Sequence, residues 1–411
     1  MGDAVEESGP ATGAPWLTPG VAGIGTASLL ADVGHEIPTA LLPSLLTSTL
    51  GAPASALGLI EGISDALAGA ARFGGGALAD EPDRRRAIAV GGYTTTAVLS
   101  AGIGAATGAW QVGLLRAGAW TARGLRVPAR NALLADVVPA SAYGRAYGFE
   151  RAMDNLGAIV GPLAAIGLVA TVGTRWAIGL SVIPGLLAAS AIVYAIRRSR
   201  QPVARQRRPL RIQVRPVLTG RLGGLFGGIT AFELGNCAAT LLILRATELF
   251  EPGRGTDAAT TAALGLYVTY NLAATLTSLA AGRHTDRAGA TRVLAIGVAA
   301  FGIAYLGFTR GSTAWDGLLP WFVLAGVGIG CVETAEHAAV ATHAPTDLRG
   351  SAFGLLAGVQ SLGNLAASSI VGLLWTTLSP SWAFTYLAAW MLLALVALGL
   401  NARRESTPSV A

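Results

Sequence analysis

The sequence predicts an all-α membrane protein with twelve transmembrane helices in two pseudo-symmetric six-helix bundles. Of its 411 residues, 52% are hydrophobic and only 13% are charged, whereas soluble globular domains carry about 25% charged residues. Apolar runs long enough to cross the bilayer, about 20 residues each, occur twelve times along the chain. A set of residues also recurs at an offset of 206 positions, half the chain length, which indicates a duplicated six-span unit.

The predicted spans are joined by short connections, so consecutive helices are expected to form antiparallel hairpins. The spans cover residues 18–49, 54–79, 87–108, 110–132, 143–171, 175–196, 217–248, 258–282, 290–309, 315–342, 348–377 and 380–402. The resulting units are a tail at residues 1–17, a bundle at residues 18–196, an arginine-rich linker at residues 197–216, a second bundle at residues 217–402 and a tail at residues 403–411.

The distribution of arginine predicts the orientation in the membrane. All 29 basic residues are arginine, and basic residues in short loops stay on the cytoplasmic side. With both termini in the cytoplasm, 22 arginines fall in cytoplasmic segments, and only Arg175, Arg254 and Arg310 fall in external loops. We therefore predict a multi-pass protein of the cell membrane whose tails and linker are cytoplasmic. The stretch from Arg197 to Arg221 contains no acid, and we interpret it as an anchor on anionic lipid headgroups, not as a nucleic-acid site.

The absence of lysine excludes two classes of chemistry. No lysine is available for a phosphate-binding Walker A loop or for a Schiff base, so ATP-driven pumping by this chain alone is excluded. Cys237 and Cys331 lie in separate apolar runs, and free cysteines in such runs are usually core residues. We therefore expect no disulfide, no metal site and no cofactor.

The repeat matches residues in two separate regions of each half. Gly76, Asp80 and Arg86 recur as Gly282, Asp286 and Arg292, and Ala132, Pro139, Gly144 and Gly148 recur as Ala338, Pro345, Gly350 and Gly354. Parallel repeats of this kind place a substrate site at the interface between the halves, near the membrane midplane. The repeat therefore predicts a carrier whose halves rock around a central site.

The loops after the second and eighth spans resemble those of the major facilitator superfamily, and the resemblance covers nearly the whole chain. The family's motif, approximately G-x-L-x-D-R-x-G-R-R, is matched by Gly76, Leu78, Asp80, Arg84 and Arg85, and its second copy keeps Gly282, Asp286, Arg287, Gly289 and Arg292. The resemblance implies that each aspartate latches the cytoplasmic ends of neighbouring helices through charge pairs and helix dipoles. Glu81 and Asp83 depart from the motif, so we expect a weaker first latch.

Two further features carry the resemblance. Arg116 lies in the fourth span, where the family often places a membrane-embedded arginine. Gly157, Gly161 and Pro162 in the fifth span are similar to the family's antiporter motif, which lets helices approach closely and bend. The resemblance also implies that spans one, four, seven and ten line a central cavity.

Ionisable residues inside the first span mark a candidate functional position, because burying them in lipid is costly. Asp32, His35 and Glu36 are expected to lie about 16 to 23 Å from the cytoplasmic end of the helix. Asp32 and Glu36 share a helix face, and repulsion between two carboxylates predicts that one of them titrates near neutral pH. We hypothesise that this group carries a proton. The alternative is a set of static hydrogen bonds to neighbouring helices.

The second span carries Glu61, Asp65 and Arg72 along one stripe. Asp65 lies at a depth similar to that of Asp32 and is a candidate cavity residue, although a structural pair of Asp65 with Arg72 is the favoured interpretation. Trp120 and Trp321 are interpreted as interface anchors or core residues, with stacking on an organic substrate as the alternative.

The fifth span carries Glu150, Arg151 and Asp154 near its cytoplasmic end. We expect these residues to form an ion cluster with Arg123, Arg126 or Arg130 of the fourth span. Such a cluster is also a candidate gate that breaks when the halves rock.

The second half has its own buried polar residues. Glu233 and Asn236 lie near the middle of the seventh span, and Glu333, Glu336 and His337 lie in the tenth. Glu333 and His337 share a face, and a carboxylate beside an imidazole predicts a proton relay. Two ligands on one helix are too few to predict a metal site.

These observations predict a secondary active transporter that moves a small organic solute by alternating access and is driven by protons. The antiporter motif favours export, and proton-coupled uptake is the alternative. Acids in the cavity suit a cationic or zwitterionic solute, whereas Arg116 leaves an anionic group open. An intramembrane enzyme and a receptor that binds without transport are the other classes, and the half-chain repeat disfavours the enzyme. We expect the chain to act as a monomer.

Overall fold

The computed structural model describes residues 15–198 and 214–406, and every regular element within these ranges is helical. The helices are α1 (Pro19–Ser44), α2 (Ala54–Ala79), α3 (Pro82–Gly102), α4 (Ala109–Asp136), α5 (Tyr143–Leu180), α6 (Val182–Arg198), α7 (Val214–Val217), α8 (Gly220–Leu234), α9 (Ala239–Arg254), α10 (Thr256–Ala288), α11 (Ala290–Arg310), α12 (Trp315–His343), α13 (Arg349–Thr377) and α14 (Pro380–Ser406). Most of the predicted linker and tails lies outside the described residues, so those domain limits stay predictions.

The membrane crossings follow from helix length and composition. Seven regions are long and apolar enough to span a membrane by these two criteria. One of these regions contains both α5 and α6, and another contains α8 and α9. Helices α1, α2, α4 and α10 are also long enough, but they carry more polar and ionisable residues. Together these elements make the twelve predicted spans. Helices α1, α2 and α4 are less apolar partly because they carry charged residues of the candidate site.

The two halves pack by the same scheme. In the first half, α1 packs against α6, α2 against α4, and α3 against both α4 and α6. In the second half, α8 packs against α14, α10 against α12, and α11 against both α12 and α14. The repeat offset converts each contact of the first set into a contact of the second. This equivalence confirms the two pseudo-symmetric bundles.

Two helix pairs make the most extensive contacts between the halves, α2 with α13 and α5 with α10, and smaller contacts join α5 with α12 and α4 with α13. Glycines allow both pairs to approach at backbone distance. A Cβ atom added to Gly76 of α2 would lie 2.7 Å from the carbonyl oxygen of Gly350 and 2.7 Å from the Cα atom of Gly354. Gly148 of α5 meets Gly282 of α10 in the same way. The repeat offset of 206 residues converts each of these two contacts into the other, as a pseudo-twofold axis requires.

Both glycine contacts lie on the side of the bundle that carries Arg84, Arg145, Arg287 and Arg349, which we call the arginine-rich side. It is the side predicted to be cytoplasmic. The halves are packed together there, so this conformation is closed on the arginine-rich side.

The count of 22 cytoplasmic arginines includes Arg123, Arg126 and Arg130, and for these three residues it is wrong. They lie within α4, and Arg126 and Arg130 are buried, so their charges are not loop charges. The excess of arginine on the arginine-rich side is correspondingly smaller, although it keeps the same direction.

The predicted seventh span is not one continuous helix. Helix α8 ends at Leu234 and α9 begins at Ala239. The backbone between them bonds to α13, because the Asn364 amide donates to the Asn236 carbonyl at 2.9 Å and the Ala238 N–H donates to the Ser368 hydroxyl at 2.9 Å. Side chains of a neighbouring helix thus satisfy groups that the break leaves without helical partners.

We expect Gly76→Val to weaken the contact between α2 and α13. Overpacking a tight contact typically costs about 1–3 kcal/mol, so the thermal melting temperature in detergent should fall. Gly74→Val is the matched control, because nothing lies within 4 Å of a Cβ atom at Gly74 in the same helix. Equal melting temperatures for the two variants would contradict the proposed role of the Gly76 contact.

Candidate functional site

The candidate site lies where charged residues of the two halves face each other. Arg151 of α5 lies 3.9 Å from Glu333 of α12, and Arg72 of α2 donates to the Ser361 hydroxyl of α13. These contacts place charged residues of the first half at the interface with the second, as the repeat predicts.

Some of these side chains remain partly open although they lie deep within the spans. The exposed fraction is 26% for Glu36, 27% for Arg123 and 27% for Glu333. Accessible charges at this depth require water, because lipid does not solvate them. We therefore expect water to reach these side chains between the halves.

In α1, His35 lies between two carboxylates. Its Nδ1 atom is 3.2 Å from Oδ1 of Asp32, and its Nε2 atom is 3.2 Å from Oε1 of Glu36. Arg123 of α4 approaches Asp32 at 3.5 Å. The structure thus brings together all three candidate residues of the first span. The Nδ1 atom also lies 3.1 Å from the Ala31 carbonyl oxygen, which is its hydrogen-bond partner, so Nε2 beside Glu36 is the nitrogen positioned to share a proton with an acid.

The glycine motif of α5 positions this cluster. A Cβ atom on Gly157 would lie 2.6 Å from the Cβ atom of Asp32, and one on Gly161 would clash with the Cβ atom of Glu36. Helix α5 therefore packs on the face of α1 that carries both acids. The helix continues through Pro162, which follows this close contact directly.

Arg116 is enclosed by a second polar cluster in the same half. It is 1% exposed, and it pairs with Glu61 at 3.1 Å and donates to the Thr39 hydroxyl at 3.0 Å. Its guanidinium carbon lies 3.3 Å from the centre of the Trp120 ring, a cation–π distance. The cation is thus neutralised by Glu61 and covered by an aromatic face.

Trp120 is a buried core residue, which is one of its two predicted roles. It also makes polar contacts, because its Nε1 atom donates to Asp65 at 2.8 Å and its ring meets His35 edge-on at 5.7 Å. The predicted pair of Asp65 with Arg72 is wrong. Arg72 instead reaches across to α13, where it donates to the Ser361 hydroxyl and to the Ala357 carbonyl.

The ion cluster predicted for the fifth span is present, with Arg130 as its partner in α4. Glu150 is 1% exposed and lies 2.8 Å from Arg130 and 2.7 Å from Arg151. Asp154 lies 3.1 Å from Arg151 and 3.6 Å from Arg130. Ser28 of α1 also donates to Glu150. Arg123 and Arg126, the other predicted partners, lie outside this cluster.

The cluster extends into the second half through one contact. Arg151 of α5 lies 3.9 Å from Glu333 of α12. This is the longest of the cluster's ion pairs, and Glu333 is also its most exposed acid. The link between the halves is therefore its weakest and most accessible part.

The predicted relay between Glu333 and His337 is wrong. The Nδ1 atom of His337 lies 2.7 Å from the backbone oxygen of Glu333. Its partner is therefore the backbone and not the Glu333 carboxylate. The ring packs between Tyr147 and Phe353, with centroid distances of 5.8 and 6.1 Å. His337 therefore acts as a packed core side chain that meets the first half through Tyr147.

Two further candidate acids of the second half, Glu233 and Glu336, have amide partners. Glu336 is fully buried and accepts from Gln360 of α13 at 2.6 Å, and Glu233 accepts from Asn236 at 3.1 Å. The searched residues of the structure contain no group of three or more histidine, cysteine or acidic side chains arranged to hold a metal ion.

The loop motifs form two equivalent latches on the arginine-rich side. Asp80 accepts from the backbone N–H of Ser351 at 2.8 Å and from its hydroxyl, at the start of α13. Asp286 accepts from the N–H of Gly144 at 2.6 Å and pairs with Arg145 at 2.7 Å, at the start of α5. Each aspartate thus caps a helix N-terminus of the other half, where the dipole favours negative charge.

The basic residues of the first motif copy have nearby partners. Arg85 pairs with Asp136 at the end of α4, and Arg84 pairs with Glu81 at 2.9 Å. Burial raises the pKa of Asp80 above its usual value, while hydrogen bonds from Ser351 and the charge of Arg85 oppose the rise. Arg287 and Arg292 of the second copy lie beside the equivalent latch in sequence, and their roles stay predictions.

Sequence reasoning missed several polar partners on α1 and α13. They are Ser28, Thr39, Gln360, Ser361 and Asn364. A signal was available, because Ser28 precedes Asp32 by four positions and Gln360 precedes Asn364 by four, which places each pair on one helix face.

The family assignment follows from comparison with known proteins. A family model described as Major Facilitator Superfamily matches residues 24–265 and 254–410. The chain belongs to the major facilitator superfamily. It is a multi-pass membrane transporter and not an enzyme, as predicted.

Relatives and solved structures support this assignment. A Mycobacterium tuberculosis protein described as uncharacterized is 28% identical over 85% of each chain, and an uncharacterized MFS-type transporter of Methanocaldococcus jannaschii is 27% identical over 88% of this chain and 90% of its own. A bacterial homologue of the iron transporter ferroportin, in an outward-facing state, has a TM-score of 0.75 at 17% identity, covering 94% of this chain and 100% of its own. The human organic anion transporter TETRAN has a TM-score of 0.73 at 16% identity, covering 92% and 99%. At these identities the solved structures show the fold alone.

We expect Glu150→Gln to destabilise this transporter strongly. Removing one partner of a buried ion cluster leaves uncompensated charge and costs about 3–5 kcal/mol, so the melting temperature should fall markedly. Glu248→Gln makes the same substitution at an exposed acid bonded to Trp375 and should have little effect. A Glu150→Gln protein that melts with the wild type would refute the importance of the cluster.

The raised pKa of Asp80 predicts a pH dependence. The closed structure binds the Asp80 proton more tightly than an unfolded chain does, so this group favours the structure increasingly as pH falls through the raised pKa. As pH falls from about 7 to about 4, the melting temperature of the wild type should therefore rise relative to that of Asp80→Asn. Asp83→Asn, at an exposed position three residues further on in the first turn of α3, is the control. If the melting temperature of the wild type instead falls relative to that of Asp80→Asn as pH falls, the hydrogen bonds to Asp80 outweigh the effect of its burial on the pKa.

Proposed function

We propose that this protein is a proton-coupled exporter of a small organic solute that works by alternating access. One observation carries the proposal: Glu333, a partly exposed acid of the second half, lies 3.9 Å from Arg151 in the buried cluster of the first half. An acid in this position connects its own charge state to the contact between the halves.

The coupling follows from electrostatics. Ionised Glu333 attracts Arg151 and favours packing of α12 against α5, whereas neutral Glu333 provides no such attraction. Protonation therefore weakens one cross-half contact on the arginine-rich side. Arg151 keeps Glu150 and Asp154 as partners, so the cluster itself survives when this link breaks.

Opening of the arginine-rich side also requires release of the two latches. Asp80 would leave the N-terminus of α13, and Asp286 would leave the N-terminus of α5. Asp80 directly follows α2 and Asp286 lies in the last turn of α10, and at these helix ends water can solvate both after release. The closed structure and an open one therefore differ by a small number of polar contacts, which a change in charge of the cavity can shift.

The cluster of α1 supports a second proton-binding position. The His35 ring lies 3.2 Å from Asp32 at Nδ1 and 3.2 Å from Glu36 at Nε2, and Glu36 is partly exposed. A cationic group of a solute bound at Glu36 competes with a proton for the same charge. Because of this competition, a bound solute lowers the affinity for protons, and a bound proton lowers the affinity for the solute, as exchange requires.

We also propose an orientation and a functional unit. In the cell membrane, the arginine-rich side faces the cytoplasm, both tails lie on that side, and one chain is the functional unit. Close packing of Gly157 and Gly161 against the acid-bearing face of α1 supports export, through the likeness to the antiporter motif. Proton-coupled uptake is the alternative, and a direct transport assay distinguishes it.

The test uses purified full-length protein in proteoliposomes of defined internal pH. We expect a cationic or zwitterionic solute to accumulate against its gradient on the side of higher proton concentration and to release bound protons from the protein in detergent. Glu333→Gln and Asp32→Asn should abolish pH-driven accumulation, and Glu333→Gln should keep solute counterflow, which needs no proton gradient.

Glu248→Gln is the control for an acid outside the cavity and should transport like the wild type. Accumulation on the side of lower proton concentration would establish symport in place of exchange. Binding of solute without proton release, together with unchanged gradient-driven transport in both cavity variants, would refute proton coupling.

A further inference from the structure

A second polar cavity lies inside the first bundle, among α1, α3, α4 and α6. It has room for one water-sized particle. Its polar lining consists of His35, Tyr93, Thr96, Ser100 and Arg126. The helices that enclose it belong to one half, so it is distinct from the space between the halves and shares only His35 with the cluster of α1.

The cavity contains a buried cation without an acidic partner. Arg126 is 4% exposed and stacks with its guanidinium carbon 4.0 Å from the centre of the Tyr93 ring. Arg116 and Arg130 of the same helix each pair with a glutamate, but Arg126 forms no ion pair with any acid whose side chain the structure describes. An uncompensated charge at this burial is costly.

Two hydroxyl groups of the lining also lack partners. The Tyr93 and Ser100 hydroxyls are buried and form no hydrogen bond with the described part of the chain. Both are able to donate. Thr96 is already bonded to the Gly92 carbonyl at 2.7 Å, so its proton is used. The available groups are therefore one guanidinium and two hydroxyl donors.

The acids nearest to the cavity are already engaged. Asp32 is paired with His35 and Arg123, and Glu36 is paired with His35. No carboxylate is among the residues that line the cavity. The lining thus combines positive charge with hydrogen-bond donors, which is the chemistry of an anion site.

We propose that this cavity binds one monatomic anion of the chloride type, held by the Arg126 guanidinium and by the Tyr93 and Ser100 hydroxyls. Its size excludes an organic anion. A water molecule would satisfy the hydroxyls but would leave the charge of Arg126 uncompensated. The bound anion stabilises the first bundle and adds a negative charge behind His35, on the opposite side from the space between the halves.

The first test measures thermal melting of purified full-length protein in chloride, bromide or gluconate at constant pH and ionic strength. We expect both halides to raise the melting temperature saturably, by about 5 °C at saturation, relative to gluconate. Arg126→Gln should lose this response. Arg310→Gln, which removes an exposed charge, is the matched control and should keep it.

Two milder variants keep the test decisive if Arg126→Gln does not fold. Tyr93→Phe and Ser100→Ala each remove one donor and should raise the halide concentration for half-maximal stabilisation about tenfold. Bromide-soaked crystals measured at the bromine absorption edge should show one anomalous peak beside Arg126. Equal melting in gluconate and halide, or an undiminished halide response in Arg126→Gln, would overturn the proposal and assign the cavity to water.

Discussion

Compensation of buried charge inside the membrane is the constraint on which this structure depends. Glu150 is held by arginines of α4 and α5 and by Ser28 of α1, so a single carboxylate ties three helices of the first half together. Because neither lipid nor apolar side chains solvate such groups, the helices must keep the relative positions that satisfy them. Arg151 extends the same cluster to Glu333, so the stability of the first half and its contact with the second half share one set of charges.

The two kinds of contact between the halves differ physically. The glycine contacts of α2 with α13 and α5 with α10 depend on shape, and they tolerate no added side-chain atom. The aspartate latches and the link from Arg151 to Glu333 depend on charge, and they respond to protons and ions. Shape therefore sets the distance at which the halves meet, while charge sets how readily they separate.

The sequence was sufficient for the fold because span length, composition and the repeat do not depend on side-chain geometry. Partners were harder to predict. Three arginines of α4 lie within eight positions of one another, and only the rotation of that helix decides that Arg130 meets Glu150 whereas Arg126 meets Tyr93. Glu333 and His337 share a face as expected, yet the ring turns towards Tyr147. The break before Ala239 contains no proline, and its hydrogen bonds come from α13, far along the chain.

The equivalence of the two latches has a consequence for the origin of the molecule. A duplicated unit with an even number of crossings re-enters the membrane in the same orientation, so both copies of the loop motif emerge on the same surface. Asp80 of one copy then faces the helix start of the other copy, and the reverse holds for Asp286. A unit with an odd number of crossings would have placed the two aspartates on opposite surfaces. A dimer of identical six-span chains would therefore have possessed both latches before the two copies of the duplicated gene were joined.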